Sequence, residues 1–233
     1  MAFSRGPSIA TDGLVLALDA ANHKSYPGSG TTWYDLSGNG NNGTLTNGPT
    51  FSTDGIGSFF FDQTNDKVEI DKNGAELGIA DTAISGELII KKDSGFPSNN
   101  LQGHMGFGGS GEGLSIKNTS PRYFLDGYNA SDTRVTTDFH STTFANTYQY
   151  TWLILCFTFA GETLKTYTNG EYYTTGTFTG GIQTIQDKDF NVASGFGYYR
   201  TYGNIASTKL YNRELSAEEV AQNYNAQKSR FGL

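Results

Sequence analysis

Tyr150-Thr-Trp-Leu-Ile-Leu-Cys-Phe-Thr-Phe159 is the most apolar run of this chain, and its reading decides the fold. A short turn follows, then Thr163-Leu-Lys-Thr-Tyr-Thr-Asn-Gly170. Asn-Gly between β-prone runs is a strong hairpin signal, because a tight two-residue turn needs positive φ at both central positions. The stretch therefore predicts a strand at the centre of a sheet, a partner beside it, and a return at Tyr172-Tyr173. Further on, Ile205-Ala-Ser-Thr-Lys-Leu-Tyr211 reads as a last strand before one helix. Ser216 with Glu219 three residues later makes a capping box. Ala217, Val220, Ala221 and Tyr224 recur at helical spacing, and Lys228 and Arg230 suit the negative pole of the helix.

Outward from there, Leu14, Leu16 and Leu18 alternate and predict a first strand with one buried face. Ser58-Phe-Phe-Phe-Asp62 and Lys67-Val-Glu-Ile70 predict a strand pair around a polar corner. Ala83 to Lys92, Phe107, Leu114 to Ile116, Tyr123 to Leu125 and Arg134 to Thr136 supply further strands. Many short strands separated by turn signals indicate a sandwich. The segment Asn22 to Gly43 breaks the pattern: its core, Ser37-Gly-Asn-Gly-Asn-Asn-Gly43, is a chain of turn signals. A polar segment this long is a functional or a structurally pinned loop. The expected organisation is an arm over 1–12 and one domain over 13–233, its helix at about 216–229.

Composition narrows the partners. Net charge is −7, and the 16 basic residues are scattered, whereas nucleic-acid binding needs them clustered against phosphate. The single cysteine, Cys156, lies in an apolar run and reads as a small buried hydrophobe. Without cysteine pairs, assembly in a reducing cytoplasm is expected. Leu14 to Leu18 is too short for a signal peptide, and no stretch is long enough to span a bilayer, so no membrane insertion is expected.

The order of segments resembles the laminin-G-like, concanavalin A-like jelly rolls, closest to versions in structural proteins of tailed phages. The residues that carry it are Gly13-Leu-Val-Leu-Ala-Leu-Asp-Ala-Ala-Asn22, the run Tyr26 to Leu45, Phe61-Asp62 with Thr64-Asn65-Asp66, Trp152, Tyr167-Thr-Asn-Gly170, and Ile205 to Asn225. Many relatives have Gly where Gln63 stands, and Trp in the strand that here reads Glu87-Leu-Ile-Ile90. The resemblance implies an all-β, two-sheet antiparallel jelly-roll sandwich with one short C-terminal helix, not an enzyme. It further implies a virion-surface protein, such as a capsid decoration, head fibre or tail appendage. Such a protein would assemble in the host cytoplasm, with other virion proteins and copies of itself as partners. The alternative is a glycan-binding module that helps adsorption to a host surface.

Candidate sites follow from residue chemistry. Glycoside hydrolysis needs two carboxylates at a defined separation. Related glucanases place theirs as Glu-x-Asp-x-x-Glu on one strand, a run this chain lacks; Glu87 is isolated, and Glu69 and Asp71 alternate with no third acid. Asp62, Asn65 and Asp66 form an oxygen-rich corner, a candidate calcium site; the alternative is an Asx-type turn. His23, His104 and His140 lack zinc spacing and are expected to be surface or satisfied polar residues. For a sugar or a protein interface the candidates are Tyr198, Tyr199, Arg200 and Tyr202 in a glycine-flanked loop, with Trp33 and Tyr34 as a second option.

Overall fold

The computed structural model describes residues 8–53, 56–93, 101–108, 112–119, 122–141, 143–144, 150–195 and 199–233. Eighteen strands and one long helix are assigned among them. The first sheet runs β14 (Glu171–Thr177), β13 (Thr163–Thr168), β12 (Trp152–Ala160), β7 (Ala83–Lys92), β18 (Tyr202–Tyr211), β5 (Ser58–Asp62), β4 (Thr50–Ser52), with β1 (Leu14–Asp19) also on β18. The second runs β11 (Arg134–Asp138), β10 (Arg122–Tyr128), β9 (Leu114–Thr119), β8 (Gln102–Phe107), β15 (Asp189–Val192), β6 (Lys67–Asn73), β3 (Gly43–Thr46), β2 (Thr32–Trp33). A small hairpin, β16 (Ser194–Gly195) with β17 (Tyr199–Arg200), stands apart. Every ladder is antiparallel. This is the expected two-sheet antiparallel sandwich.

The apolar run behaves as its composition requires. β12 lies between β7 and β13, inside the first sheet. Leu153, Leu155, Phe157 and Phe159 face the core between the sheets. Trp152, Ile154 and Cys156 point the other way, into clusters with the C-terminal helix. A strand covered on both faces has no reason to alternate, hence the unbroken hydrophobic run. β1 is buried on both faces for a similar reason, since Val15 and Ala17 are covered as well as Leu16 and Leu18; one buried face was expected. Asn169 and Gly170 take φ of 52° and 78°, as the hairpin signal required.

The helix α1 (Ala217–Phe231) has Ser216 as N-cap, with the reciprocal bonds to Glu219 of a capping box. Val220 and Phe231 are buried on the first sheet. The described part of the N-terminal arm docks on the same chain's helix. The Ala10 amide donates to Asn223 Oδ1 at 2.8 Å, and Tyr211 Oη donates to the Ala10 carbonyl at 3.1 Å. No helix among the described residues is long and apolar enough to cross a membrane.

One expected pairing differs. β5 and β6 do not pair: β5 joins β18 and β4 in the first sheet, and β6 joins β3 and β15 in the second. The polar corner between them carries the chain from one layer to the other. Gln63 sits there at φ 68°, a left-handed conformation that glycine adopts more readily than a residue with a Cβ.

The long polar loop is pinned to β1. Asp35 Oδ1 accepts from the amides of Ala17 and Ser37, both at 2.9 Å, and Oδ2 accepts from the Asn41 amide at 3.0 Å. Asn41 Nδ2 donates to the Val15 carbonyl at 2.7 Å. The turn residues of this segment thus satisfy backbone groups of β1.

Candidate functional site

The two sheets present different outer faces. On the first sheet, α1 covers Ile89, Trp152, Ile154 and Ala206 through Phe231 and Tyr224. Glu87 and Lys209, side by side on β7 and β18, are both buried there. Lys209 Nζ donates to Glu87 Oε1 at 2.7 Å, to Gln227 Oε1 at 2.6 Å and to Ser207 Oγ at 3.1 Å. Gln227 Nε2 returns a bond to Glu87 Oε1 at 2.9 Å. This closed network fastens the helix and leaves Glu87 out of reach of a substrate.

The second sheet alternates along most of its strands, with register shifts at Gly103/Met105 and Asp189/Phe190. Val68, Ile70, Met105, Leu114, Ile116, Leu125, Phe190 and Val192 face the core. Their neighbours on the same strands point to the other side and are mostly polar: Glu69, Asp71, Asp189 and Asn191 reach solvent, whereas Ser115, Lys117 and Asp126 are buried there. Two features shape this face.

The first is the β16–β17 hairpin, which lies against β8 and β9. Gly103 and Gly195 touch backbone to backbone, and a Cβ on either would collide with the other. Arg200 Nη1 donates to Ser194 Oγ at 2.7 Å and so ties the hairpin across its own width. Lys117 Nζ stands 4.7 Å from the centre of the Tyr199 ring, a cation–π contact. Beneath it, Lys117 Nζ donates to Asp126 Oδ2 at 2.7 Å, and Arg134 grips both oxygens of Asp126 through Nε (2.7 Å) and Nη2 (2.8 Å). The Asp126 side chain is fully buried, whereas half of the Arg134 side chain is exposed. Burial pushes the Lys117 ammonium down to about 8, against the Asp126 carboxylate, which holds it up.

The second is a cavity of about 320 Å³ lined by Thr44, Glu69, Ile70, Asp71, Asp189 and Asn191. Glu69 forms an ion pair with Lys67 and accepts from Thr46 Oγ1 at 2.9 Å. The Lys67 bond, more than any other contact, holds its carboxyl below the usual range. A group kept ionised in this way is the opposite of a glycosidase proton donor.

The sequence candidates divide. Tyr199 and Arg200 belong to this face, and Glu69 lies close enough to interact with Arg200. Tyr202 is half-buried, with its ring edge-on to Phe60 at 5.4 Å. Tyr198 lies outside the described residues. Trp33 is a correction: it is fully buried and packs on Phe59 at 4.8 Å, so it is a core residue and offers no surface platform. Its neighbour Tyr34 points outward, 44% exposed, far along the chain from the hairpin. Lys117, Asp126, Arg134 and Asn191 were missed, because nothing in the local sequence shows that four strands align them on one face. The weak signal was the alternation itself, Leu114-Ser-Ile-Lys117 and Asp189-Phe-Asn-Val192.

At the candidate calcium corner, Asp62 Oδ1 accepts from the Thr64 amide at 2.7 Å, and Asp66 Oδ2 accepts from the Asp62 amide at 3.3 Å. These are the bonds of an Asx-type turn. Among the described residues no group of three or more His, Cys, Asp or Glu side chains is gathered to hold a metal ion. His104 is buried between Thr201 Oγ1 (3.0 Å) and Asn118 Oδ1 (3.1 Å), and burial pushes its ring down to about 3.

The family model of the concanavalin A-like lectin/glucanases superfamily matches residues 95–221. The chain belongs to this superfamily. Its fold is similar to the receptor binding domain of botulinum neurotoxin C/D mosaic serotype, at 17% identity and a TM-score of 0.72, over 94% of this chain and 52% of that one. It is also similar to the binding domain of Paraclostridial Mosquitocidal Protein 1, at 14% identity and a TM-score of 0.71, over 93% and 52%. A third is the binding domain of botulinum neurotoxin DC, solved in complex with rat synaptotagmin II, at 16% identity and a TM-score of 0.69, over 94% and 52%. The lectin/glucanase chain thus spans about half the length of these structures, and at such identity the likeness is one of fold. A search of curated protein sequences found no match. Neither the family match nor these structures carries a phage setting.

Proposed function

We propose that this chain is a non-catalytic recognition module of the lectin/glucanase superfamily that binds a carbohydrate on the outer face of its second sheet. The observation that carries this reading is the contrast between the faces. The first is closed by a helix. The second holds an open row of carboxylates, an amide and a hydroxyl at Glu69, Asp71, Asp189, Asn191 and Thr44, with Glu69 in range of Arg200, the neighbour of the Tyr199 ring that Lys117 holds. Sugar recognition uses a flat apolar contact with oriented polar groups around it, and this face supplies both. The binding domains that share the fold support a recognition role.

A glycan array tests the reading. The wild-type chain is expected to bind at least one surface polysaccharide, with a loss of tenfold or more in Asn191→Ala and in Tyr199→Ala. Absence of binding to any glycan overturns it, and release of reducing ends from a bound β-glucan overturns the non-catalytic part. The virion setting, with other virion proteins as partners and a repeated, self-associating subunit, rests on the sequence resemblance. Immunogold labelling of particles, with light scattering of the purified protein, tests it. An unlabelled particle and a monomeric protein would remove it.

A further inference from the structure

Beneath the helix, an amine, a carboxamide and a carboxylate meet away from water. Lys209 and Glu87 stand opposite each other on β18 and β7 and are 4% and 1% exposed. Gln227 reaches them from a half-buried position on α1.

The partners of the Gln227 carboxamide fix its orientation. Its Oε1 accepts from Lys209 Nζ at 2.6 Å, and its Nε2 donates to Glu87 Oε1 and to the Asn223 carbonyl, both at 2.9 Å. An ammonium only donates, whereas a carboxylate and a carbonyl only accept, so the amide fits one way round. The acyl carbon Cδ lies within about 3.8 Å of Lys209 Nζ, because the C=O bond adds only about 1.2 Å to that hydrogen bond. Reacting atoms poised for attack stand roughly 3–3.5 Å apart. One carboxylate oxygen, Glu87 Oε1, touches both the nitrogen that would attack, at 2.7 Å, and the nitrogen that would leave, at 2.9 Å. The other buried lysine, Lys117, lacks this arrangement, since its partner Asp126 has no amine to lose.

We propose that this triad is a self-modification site, at which an amide bond forms between Lys209 Nζ and Gln227 Cδ and staples α1 to the first sheet. Glu87 takes a proton from Nζ, as general base. The free amine turns its lone pair onto Cδ and attacks. Glu87 gives that proton to Nε2, the Cδ–Nε2 bond breaks, and ammonia leaves. Nζ sheds a second proton in becoming an amide N–H; Glu87 keeps it and ends as a neutral acid. Two side chains thus become one amide and one ammonia, with no oxidant, metal or cofactor. Exclusion of water from Glu87 and Lys209 keeps hydrolysis from competing. The half-buried position of Gln227 gives ammonia a way out. The site shares no residue with the outer face of the second sheet and does not depend on what that face binds.

Intact-mass spectrometry of the purified chain, kept folded for several days, tests the proposal. The wild type should become lighter by one ammonia. Its tryptic digest should yield a branched peptide that holds Lys209 and Gln227 and is uncut after Lys209. That peptide should be absent from Glu87→Gln, which keeps the shape of the carboxylate, and from Gln227→Ala, which keeps the ion pair and whose folding circular dichroism checks. The ion pair's own share of stability is read on freshly folded, unbonded chains. An unchanged wild-type mass would overturn the proposal. So would an ammonia loss that the digest places only at Asn-Gly turns, where ring closure on the backbone also expels it, or a branched peptide that forms as readily in Glu87→Gln.

Discussion

Lys209–Glu87 and Lys117–Asp126 are both buried lysine–carboxylate pairs, and their surroundings differ. Lys209–Glu87 lies under α1, where Gln227 and Ser207 complete the bonding and water is excluded. Lys117–Asp126 lies on the opposite sheet, buried beneath the β16–β17 hairpin, with the Tyr199 ring over the ammonium and a half-exposed arginine on the carboxylate. The chemical pair is the same. In the first place it locks a helix to a sheet. In the second it fixes the charge and the ring of a surface that can meet another molecule. Burial of an ion pair therefore does not by itself say whether the pair is structural; what covers it does.

The largest effect should come from breaking the covered pair. Glu87→Ala is expected to cost about 3–5 kcal/mol, because Lys209 is left charged without a counter-ion. Urea denaturation measures it. The joint replacement Glu87→Leu with Lys209→Met should instead be neutral or stabilising, by ~1–4 kcal/mol at most. The same single cut on the open side, Asp126→Ala, should cost less than Glu87→Ala, since Arg134 can turn to solvent and Lys117 can release its proton near neutral pH. Equal losses at the two sites would erase the distinction.

Next comes the hairpin that roofs the open face. Gly103→Ala forces a methyl into the Gly195 backbone and should cost about 1–3 kcal/mol, the range for overpacking. The loss should fall on Tyr199 more than on the sheet. Tyr199 amide exchange should therefore accelerate while the β12 amides stay protected. Smaller again is the cap of the covering helix: Ser216→Ala should cost about 1 kcal/mol and loosen α1 without touching glycan binding.

The most delicate comparison is by pH. Lys117 binds its proton less tightly when folded, about 8, than at its ordinary value of 10.5. Between those limits the unfolded chain holds more protons than the folded one, so this group makes stability rise with pH from about 8 toward 10.5. Subtracting the profile of Lys117→Met from that of the wild type should leave a positive slope in that window. A flat difference would mean that Lys117 is not desolvated.

Much of the fold could be read along the chain. The apolar run at β12, the Asn169-Gly170 turn and the Ser216–Glu219 cap are local signals whose physics acts within a few residues, and each forms as written. The corner after Asp62 misled for the complementary reason. Two strands joined by a short turn pair with each other by default, and only the competing ladders with β18 and β15 send β5 and β6 to different layers. Trp33 misled too, since a tryptophan beside an exposed tyrosine in a polar loop gives no sign that its own side chain fills the core.

What the sequence determined by itself is an antiparallel all-β sandwich with one helix, because hydrophobic alternation, turn chemistry and capping are properties of neighbouring residues. What only the tertiary structure decided is which face is closed and which open. It brought Lys117, Asp126, Arg134 and Tyr199 together from three strands and a hairpin, and set Gln227 of the helix against Lys209 and Glu87. Those groupings depend on register and layer order across distant segments, and side chains meet there only after the sheets have paired.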